Sequence, residues 1–342
     1  MAEMTFARAI DYALGEAMAA DERVITLGED VAMLRRELLV RFGPSRVLQA
    51  PISEAAFLAA GVGAAMAGLR PVVEIMMVDF IAVAFDALLN QATKIRAFSG
   101  DKWRVPLVVR AACGGGYGDA GQHEQCLWGL LSGMPGIAVV VPSNPADAAG
   151  LMLSAIQCDD PVVFLEHKLL SDYWLDYLGK GGRETVSFDV PAAGARGEVP
   201  TPPVPVPIGK ARRVREGSDL TMLGLGMSLH RCLEAATKLE NDGISAEVVD
   251  LRSACPLDRE LILASASRTG RVLVADEDYV GYGLSGEVAA LLAEAGVKAD
   301  FARVCVEEVV PYARHLEEEV LPNVRRIREA AMRLCGRLNP NA

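Results

Sequence analysis

The stretch PISEAAFLAAGVGAAMAGLRPVVEIMMVDF at residues 51–80, followed at 105–125 by VPLVVRAACGGGYGDAGQHEQ, decides the fold. Residues 54–67 form an alanine- and glycine-rich apolar run of helical length, and 72–75 a short β-branched one. A second helical pattern over 80–98 leads to another β-branched run at 105–110, which opens onto a glycine-dense loop. Strands that are apolar throughout and separated by helices imply a parallel sheet covered on both faces. The alternation continues outward, with strands expected at 24–27, 137–141 and 162–166 and helices at 5–20 and 146–157. The first domain, residues 1–186, is therefore expected to be doubly wound α/β.

The character changes between residues 187 and 209, which hold Pro191, Pro200, Pro202, Pro203, Pro205 and Pro207 and little apolar periodicity. Proline at that density stiffens an extended chain and removes backbone donors, as suits an interdomain linker. Alternation then resumes in a smaller α/β domain at 210–342. Its strands are expected at 220–225, 246–250, 272–275 and 301–304, and its helices at 229–241, 257–265, 284–294 and 324–334.

Composition limits the function. A chain of 342 residues exceeds one compact core, and 51% hydrophobic with 23% charged residues is an ordinary globular balance. Acidic residues outnumber basic ones 45 to 34, a net charge of −11. That disfavours a nucleic-acid or anionic-membrane surface, which needs a basic patch, and suits a basic protein partner. Seven dispersed cysteines without a CxxC pair read as reduced thiols. The N-terminal MAEMTFARAI lacks the pattern of a signal peptide, and the richest apolar run, 55–68, is too short for a membrane span. A cytoplasmic protein is expected.

The glycine clusters differ in meaning. Gly61, Gly63 and Gly68 fall inside a helical run, so close packing explains them better than a dinucleotide fingerprint. Gly224-Leu225-Gly226 follows a strand but lacks a third glycine, and no GKS or GKT supports a P-loop. The loop 114–121 carries five glycines at the carboxyl end of a strand, where open α/β sheets bind ligands. It leads into His123, one of four histidines in the chain and placed as a loop acid or base would be. Ser53 is positioned to cap the apolar helix, and Glu54 in its first turn complements the helix dipole. A carboxyl at the mouth of a buried helix also sits in low dielectric, where it tends to share a proton with a ligand.

Together the run at 51–80, NQATKIRAFSG (90–100), VPLVVR (105–110), GQHEQ (121–125), MPGIAVVVPSNPADAAGL (134–151) and DDPVVFLEHK (159–168) resemble one family. It is the beta subunit of the thiamine-diphosphate-dependent decarboxylating component of 2-oxo acid dehydrogenases, and the chain also resembles the acetoin dehydrogenase beta subunit. The likeness continues in IGKARRVREGSDLT (208–221), VVDLRSACPLD (248–258) and RVLVADE (271–277), so it covers nearly the whole chain. It implies a pyrimidine-binding α/β domain followed by a transketolase C-terminal-like domain.

The resemblance gives Glu54 a hydrogen bond to a pyrimidine ring nitrogen of thiamine diphosphate, favouring the imino tautomer that can remove the thiazolium proton. It gives Phe80 the packing against that ring, and His123 the handling of the substrate-derived group and its transfer to a lipoyl group. It also implies a potassium ion on backbone carbonyls near Leu107, Ala155, Ile156, Cys158 and Asp160. Neither Gly100-Asp101-Lys102 nor Gly118-Asp119-Ala120 fits the GDG sequence that anchors the diphosphate through a divalent metal. An alpha subunit carrying the magnesium is therefore implied, in an alpha2–beta2 assembly that meets a lipoyl acyltransferase. Two departures stand out. Glu124 follows His123 where the family has a small hydroxyl residue, leaving open whether its carboxylate faces the imidazole; and 171–207 is long and unfamiliar.

The leading expectation is decarboxylation of a pyruvate-type 2-oxo acid with reductive acylation of a lipoyl group. Acetoin cleavage on the same machinery is the near alternative, towards which EIMMVDF and VVPSNPADAAGL lean slightly. A lipoyl-independent carboligating heteromer comes next. A non-catalytic electron-transfer or binding subunit is the alternative from another class, and it predicts bound flavin.

Overall fold

Short runs of Val, Ile and Leu build two parallel sheets whose central strands are buried on both faces. The structure, a computed structural model, describes residues 1–119, 121–179 and 188–338. The expected boundary at 186/187 and part of the 171–207 segment lie outside the described residues, as does Ala120 of the glycine loop.

The N-terminal half contributes β1 (Ala2–Thr5), β2 (Val24–Glu29), β3 (Val47–Ala50), β4 (Arg70–Met77), β5 (Val108–Cys113), β6 (Ala138–Val140) and β7 (Val162–His167). The remainder contributes β8 (Arg196–Val199), β9 (Arg212–Arg215), β10 (Leu220–Gly224), β11 (Ala246–Asp250), β12 (Ser253–Cys255), β13 (Arg271–Tyr279) and β14 (Asp300–Val306). The first large sheet has seven strands in the order β12-β6-β7-β5-β4-β2-β3, parallel except where β12 meets β6. The second has five in the order β14-β13-β10-β11-β9, parallel except at β9. Both halves are α/β, and the chain is a pair of parallel-sheet units as its alternation implied.

Three local expectations change. The first concerns residues 80–98, which do not form one α-helix. A 3₁₀ helix spans Val78–Ala84, a π-helical turn Ala87–Ala92, and only Ile95–Phe98 is α-helical at the far end. The buried side chains Val78, Ile81 and Ala84 recur every three residues, the interval that a 3₁₀ helix lines up on one face. The second concerns the proline-rich connection, which holds β8, paired antiparallel with β1. Val206 further anchors it, donating its N–H to the Gly150 carbonyl and accepting from the Ser154 hydroxyl, so it runs clamped to the helix Pro145–Gln157. The third is Ser53, which occupies the N-cap position but makes no side-chain capping bond.

β12 comes from the C-terminal half yet pairs with β6 in the N-terminal sheet. One apolar cluster accordingly runs through both units, from Phe57, Val73 and Leu165 to Leu223, Val249 and Val272. The two units share a core. Among the described residues no helix is long and apolar enough to cross a membrane.

Candidate active site

Four neighbouring strands, β3, β2, β4 and β5, end on the same edge of the first sheet, and each chain leaving that edge carries a predicted or newly visible side chain of the site. β2 ends on Glu29. β3 leads into the helix Glu54–Met66, β4 into the 3₁₀ segment with Phe80, and β5 into the glycine loop and His123. The chain steps from β3 across β2 to β4, so Glu54 lies where the strand order reverses, the usual ligand position in open α/β sheets. The helix behind Glu54 lies tight on the sheet. A side chain at Gly61 would run into Val73, which accounts for the glycine in that run by packing.

Glu54 is buried, and among the described residues no group forms a hydrogen bond with its carboxylate. Glu29 lies close enough to feel it. Burial first, and then the charge of Glu54, raise the Glu29 carboxyl above its ordinary range. One Glu29 oxygen is buried without a partner. Two under-satisfied carboxyls at one sheet edge suit a ligand that brings its own donors. Phe80 supplies an apolar wall, and its ring meets that of His123 edge-on at 5.5 Å. The Nδ1 of His123 is buried and unpartnered, while its carbonyl accepts a 2.7 Å bond from Lys168 Nζ.

Lys168 is fully buried, and burial lowers its pKa against the opposing pull of Glu124, Asp119 and Asp79. Glu124 does not reach the imidazole by any hydrogen bond among the described residues. It points inward, accepting from the Tyr117 N–H at 2.9 Å and lying 3.9 Å from Lys168 Nζ. There it faces Glu317 of the C-terminal unit, which accepts from the Gly118 N–H at 3.0 Å. Burial and then the facing Glu124 push the Glu317 carboxyl upward.

A buried ionic network lies among strands β4, β5 and β7. Arg35 holds Glu74 through 2.9 Å bonds, Arg110 bridges Asp11 and Glu166 at 2.8 Å each, and Trp174 donates to Glu166 at 2.6 Å. Burial opposes ionisation of Glu74, but the Arg35 and Arg110 charges win and lower its pKa. Trp174 belongs to the unfamiliar 171–207 segment, which thus caps this network.

The C-terminal unit grips the glycine loop. At its start Glu277 accepts from the Gly115 N–H at 2.7 Å and from His167 Nε2 at 2.9 Å. The Leu169 N–H donates to His167 Nδ1, so Nε2 carries the ring proton when the ring is neutral. Gly114, at φ +92°, lies against the His167 ring where no Cβ would fit. At the far end Asp278 accepts from the Gly129 N–H at 2.7 Å and Asp276 from Trp128 Nε1 at 2.8 Å.

The carbonyls named for potassium are partly engaged. Those of Ile156 and Cys158 accept from Arg70 NH1 at 2.9 and 3.1 Å, the Leu107 carbonyl from the Val162 N–H, and the Ala155 carbonyl from the Cys158 N–H. Asp160 pairs with Arg96 through its side chain at 2.6 Å. Two of the five thus converge on one positive group, the Arg70 guanidinium.

The sequence brought Glu54, Phe80 and His123 to the fore, and the structure brings them to one edge. Glu29, Lys168, Glu277, Tyr279 and Glu317 were not singled out. The acidic run at 276–278 directly after an apolar strand was the available signal, since strand ends are where ligand-facing loops begin.

Comparison with known proteins agrees with this architecture. The family described as "Transketolase, pyrimidine binding domain" matches residues 2–172, and "Transketolase, C-terminal domain" matches residues 209–327. A 2-oxoisovalerate dehydrogenase subunit beta from Bacillus subtilis (strain 168) is 41% identical over 86% of this chain and 85% of its own. The chain belongs to the beta-subunit family of the 2-oxo acid and acetoin dehydrogenases. From the same organism, an acetoin:2,6-dichlorophenolindophenol oxidoreductase subunit beta is 39% identical over 84% of this chain and 83% of its own. Its pyruvate dehydrogenase E1 component subunit beta is 37% identical over 91% of this chain and 92% of its own. Members named for three substrates thus lie within a few per cent of each other. The solved structure "Split gene transketolase, inactive beta4 tetramer" covers 97% of this chain and 98% of its own at 24% identity and a TM-score of 0.77, a likeness of fold.

Proposed function

We propose that this chain is the beta half of a thiamine-diphosphate-dependent dehydrogenase that decarboxylates a 2-oxo acid and reductively acylates a lipoyl group. The single observation behind this reading is the placement of Glu54, Phe80 and His123 by three crossovers at one sheet edge, where no group among the described residues hydrogen-bonds the Glu54 carboxylate. The bound cofactor would supply the nucleophilic carbon that this chain's side chains lack. Glu54 would hold a ring nitrogen of the aminopyrimidine, Phe80 would pack against the ring, and His123 would exchange protons with the group being transferred. Residues 1–186 would carry the pyrimidine half and residues 210–342 the C-terminal half, joined through 187–209.

Nothing in this reading gives the chain a hold on the diphosphate. An alpha subunit would provide it, with its magnesium, in an alpha2–beta2 assembly, and a lipoyl acyltransferase would accept the acyl group. The free cysteines suit a reducing compartment, and we place the protein in the cytoplasm. A potassium ion on the carbonyls of Leu107, Ala155, Ile156, Cys158 and Asp160 belongs to the same reading.

The test is co-expression with an alpha subunit and assay against pyruvate, branched 2-oxo acids and acetoin. Turnover is expected only from the pair, and Glu54→Gln is expected to lower it by at least a hundredfold while assembly persists. Turnover by the purified beta chain alone, or a Glu54→Gln assembly near the wild-type rate, would refute the reading. Acetoin as the preferred substrate would select the alternative on the same machinery.

A further inference from the structure

We propose that Tyr279, contributed by the C-terminal unit, is a positioning residue that sets the mutual placement of Phe80 and His123 through Gln125 and Asp79. The inference rests on the reading of that site given above. The Tyr279 hydroxyl lies 3.0 Å from Gln125 Oε1, and Gln125 Nε2 lies 2.6 Å from Asp79 Oδ1. Asp79 precedes Phe80, and Gln125 follows His123 by two residues. Two hydrogen bonds through three side chains therefore join the segments carrying the two rings and tie both to the end of β13.

The direction of that chain is set by its donor and acceptor atoms. Gln125 presents its Nε2 to the Asp79 carboxylate and its Oε1 to Tyr279. The phenol then donates. Phenylalanine at 279 cannot do so, and among the described residues it would leave Asp79 as the one side-chain partner of the Gln125 amide.

The other contacts of β13 do not duplicate this role. Glu277, Asp276 and Asp278 hold Gly115, Trp128 and Gly129, each five to eight residues from His123. They fix the feet of the loop. Between them Glu317 and Lys168 hold the Gly118 N–H and the His123 carbonyl, but neither bonds to the segment that carries Phe80. Among the described residues, the Tyr279–Gln125–Asp79 chain is the side-chain hydrogen-bond path that reaches both ring-bearing segments, whose rings stand edge-on at 5.5 Å. A displacement there alters orientation at the reacting centre more than it alters ground-state binding.

The test uses the assembly with the alpha subunit and whichever 2-oxo acid or acetoin it turns over. Tyr279→Phe is expected to lower kcat roughly five- to tenfold, with KM within about twofold of wild type. In the double variant Tyr279→Phe/Gln125→Ala, kcat should be no lower than in Gln125→Ala alone, since both changes break one chain. Hydrogen exchange at residues 121–127 should quicken in Tyr279→Phe while that of β13 stays unchanged. Wild-type kcat in Tyr279→Phe, or multiplicative losses in the double variant, would overturn the proposal. Should the assembly turn over none of the substrates, the function reading fails instead, and the exchange of residues 121–127 still decides whether Tyr279 holds the loop.

Discussion

Glu124 shows how a single residue can depart from a family pattern and be absorbed by the structure. Buried carboxylates are costly unless paired or protonated, and Glu124 meets Glu317, Lys168 and the Tyr117 N–H instead of the neighbouring imidazole. Arg314 NH1, 3.6 Å from Glu317, is the other charge at the pair. Because the folded Glu317 carboxyl titrates above its ordinary range, its contribution to stability is complete in acid below that range. It is lost as pH rises through the elevated folded value. Raising the pH should therefore loosen the attachment of the glycine loop to the C-terminal unit, visible as faster hydrogen exchange at Tyr117 and Gly118. In Glu317→Gln the same exchange should depend less on pH, and an equally steep profile would remove Glu317 as its source. That Glu124 is unusual was legible in the sequence. Its partner was not, because Glu317 lies far along the chain and only folding brings the two carboxyls together.

Helices and strands were legible to different degrees. The apolar runs that became β2, β4, β7, β10, β11 and β13 announced themselves, since burial on both faces leaves an uninterrupted β-branched stretch. β5 begins at Val108, after Pro106, whose missing N–H cannot join a ladder. The segment 80–98 was misread because its apolar spacing supports either a three- or a four-residue period, and contact with the sheet selected the tighter coil first. At the other side of the sheet, the last turn of the helix Pro145–Gln157 ends beside the Ile156 and Cys158 carbonyls, where the dipole favours positive charge. Arg70 already supplies some. If potassium also binds there, the Tm of the assembly should be higher in KCl than in NaCl of equal ionic strength. Equal values would assign that charge to Arg70 alone.

Across the whole molecule, the two units are joined by buried acids. Asp250 accepts from the Ser143 hydroxyl at 3.1 Å, and burial followed by the charge of Asp147 pushes its pKa up to about 7. Asp276, beneath Trp128, is raised by burial and then by Asp278 to about 6. Both folded values exceed the ordinary 3.8, so their contribution is full below about pH 4 and lost as pH rises through 6 and 7. These groups should make the chain less resistant to heat at pH 8 than at pH 5. Asp250→Asn, which cannot ionise, should flatten the slope of Tm between those values, and an unchanged slope would remove Asp250 as a source.

The sequence by itself determined the two α/β units and the edge at which chemistry could occur, and the family resemblance pointed there to Glu54, Phe80 and His123. The units and the edge follow from local periodicity and from loops that leave strand ends, information carried within a few residues. Only the tertiary structure decided that β12 crosses into the first sheet, that Glu124 turns inward, and that Tyr279 and Glu277 hold a loop more than a hundred residues earlier. Such contacts follow from how two sheets stack, and no local pattern encodes the partner.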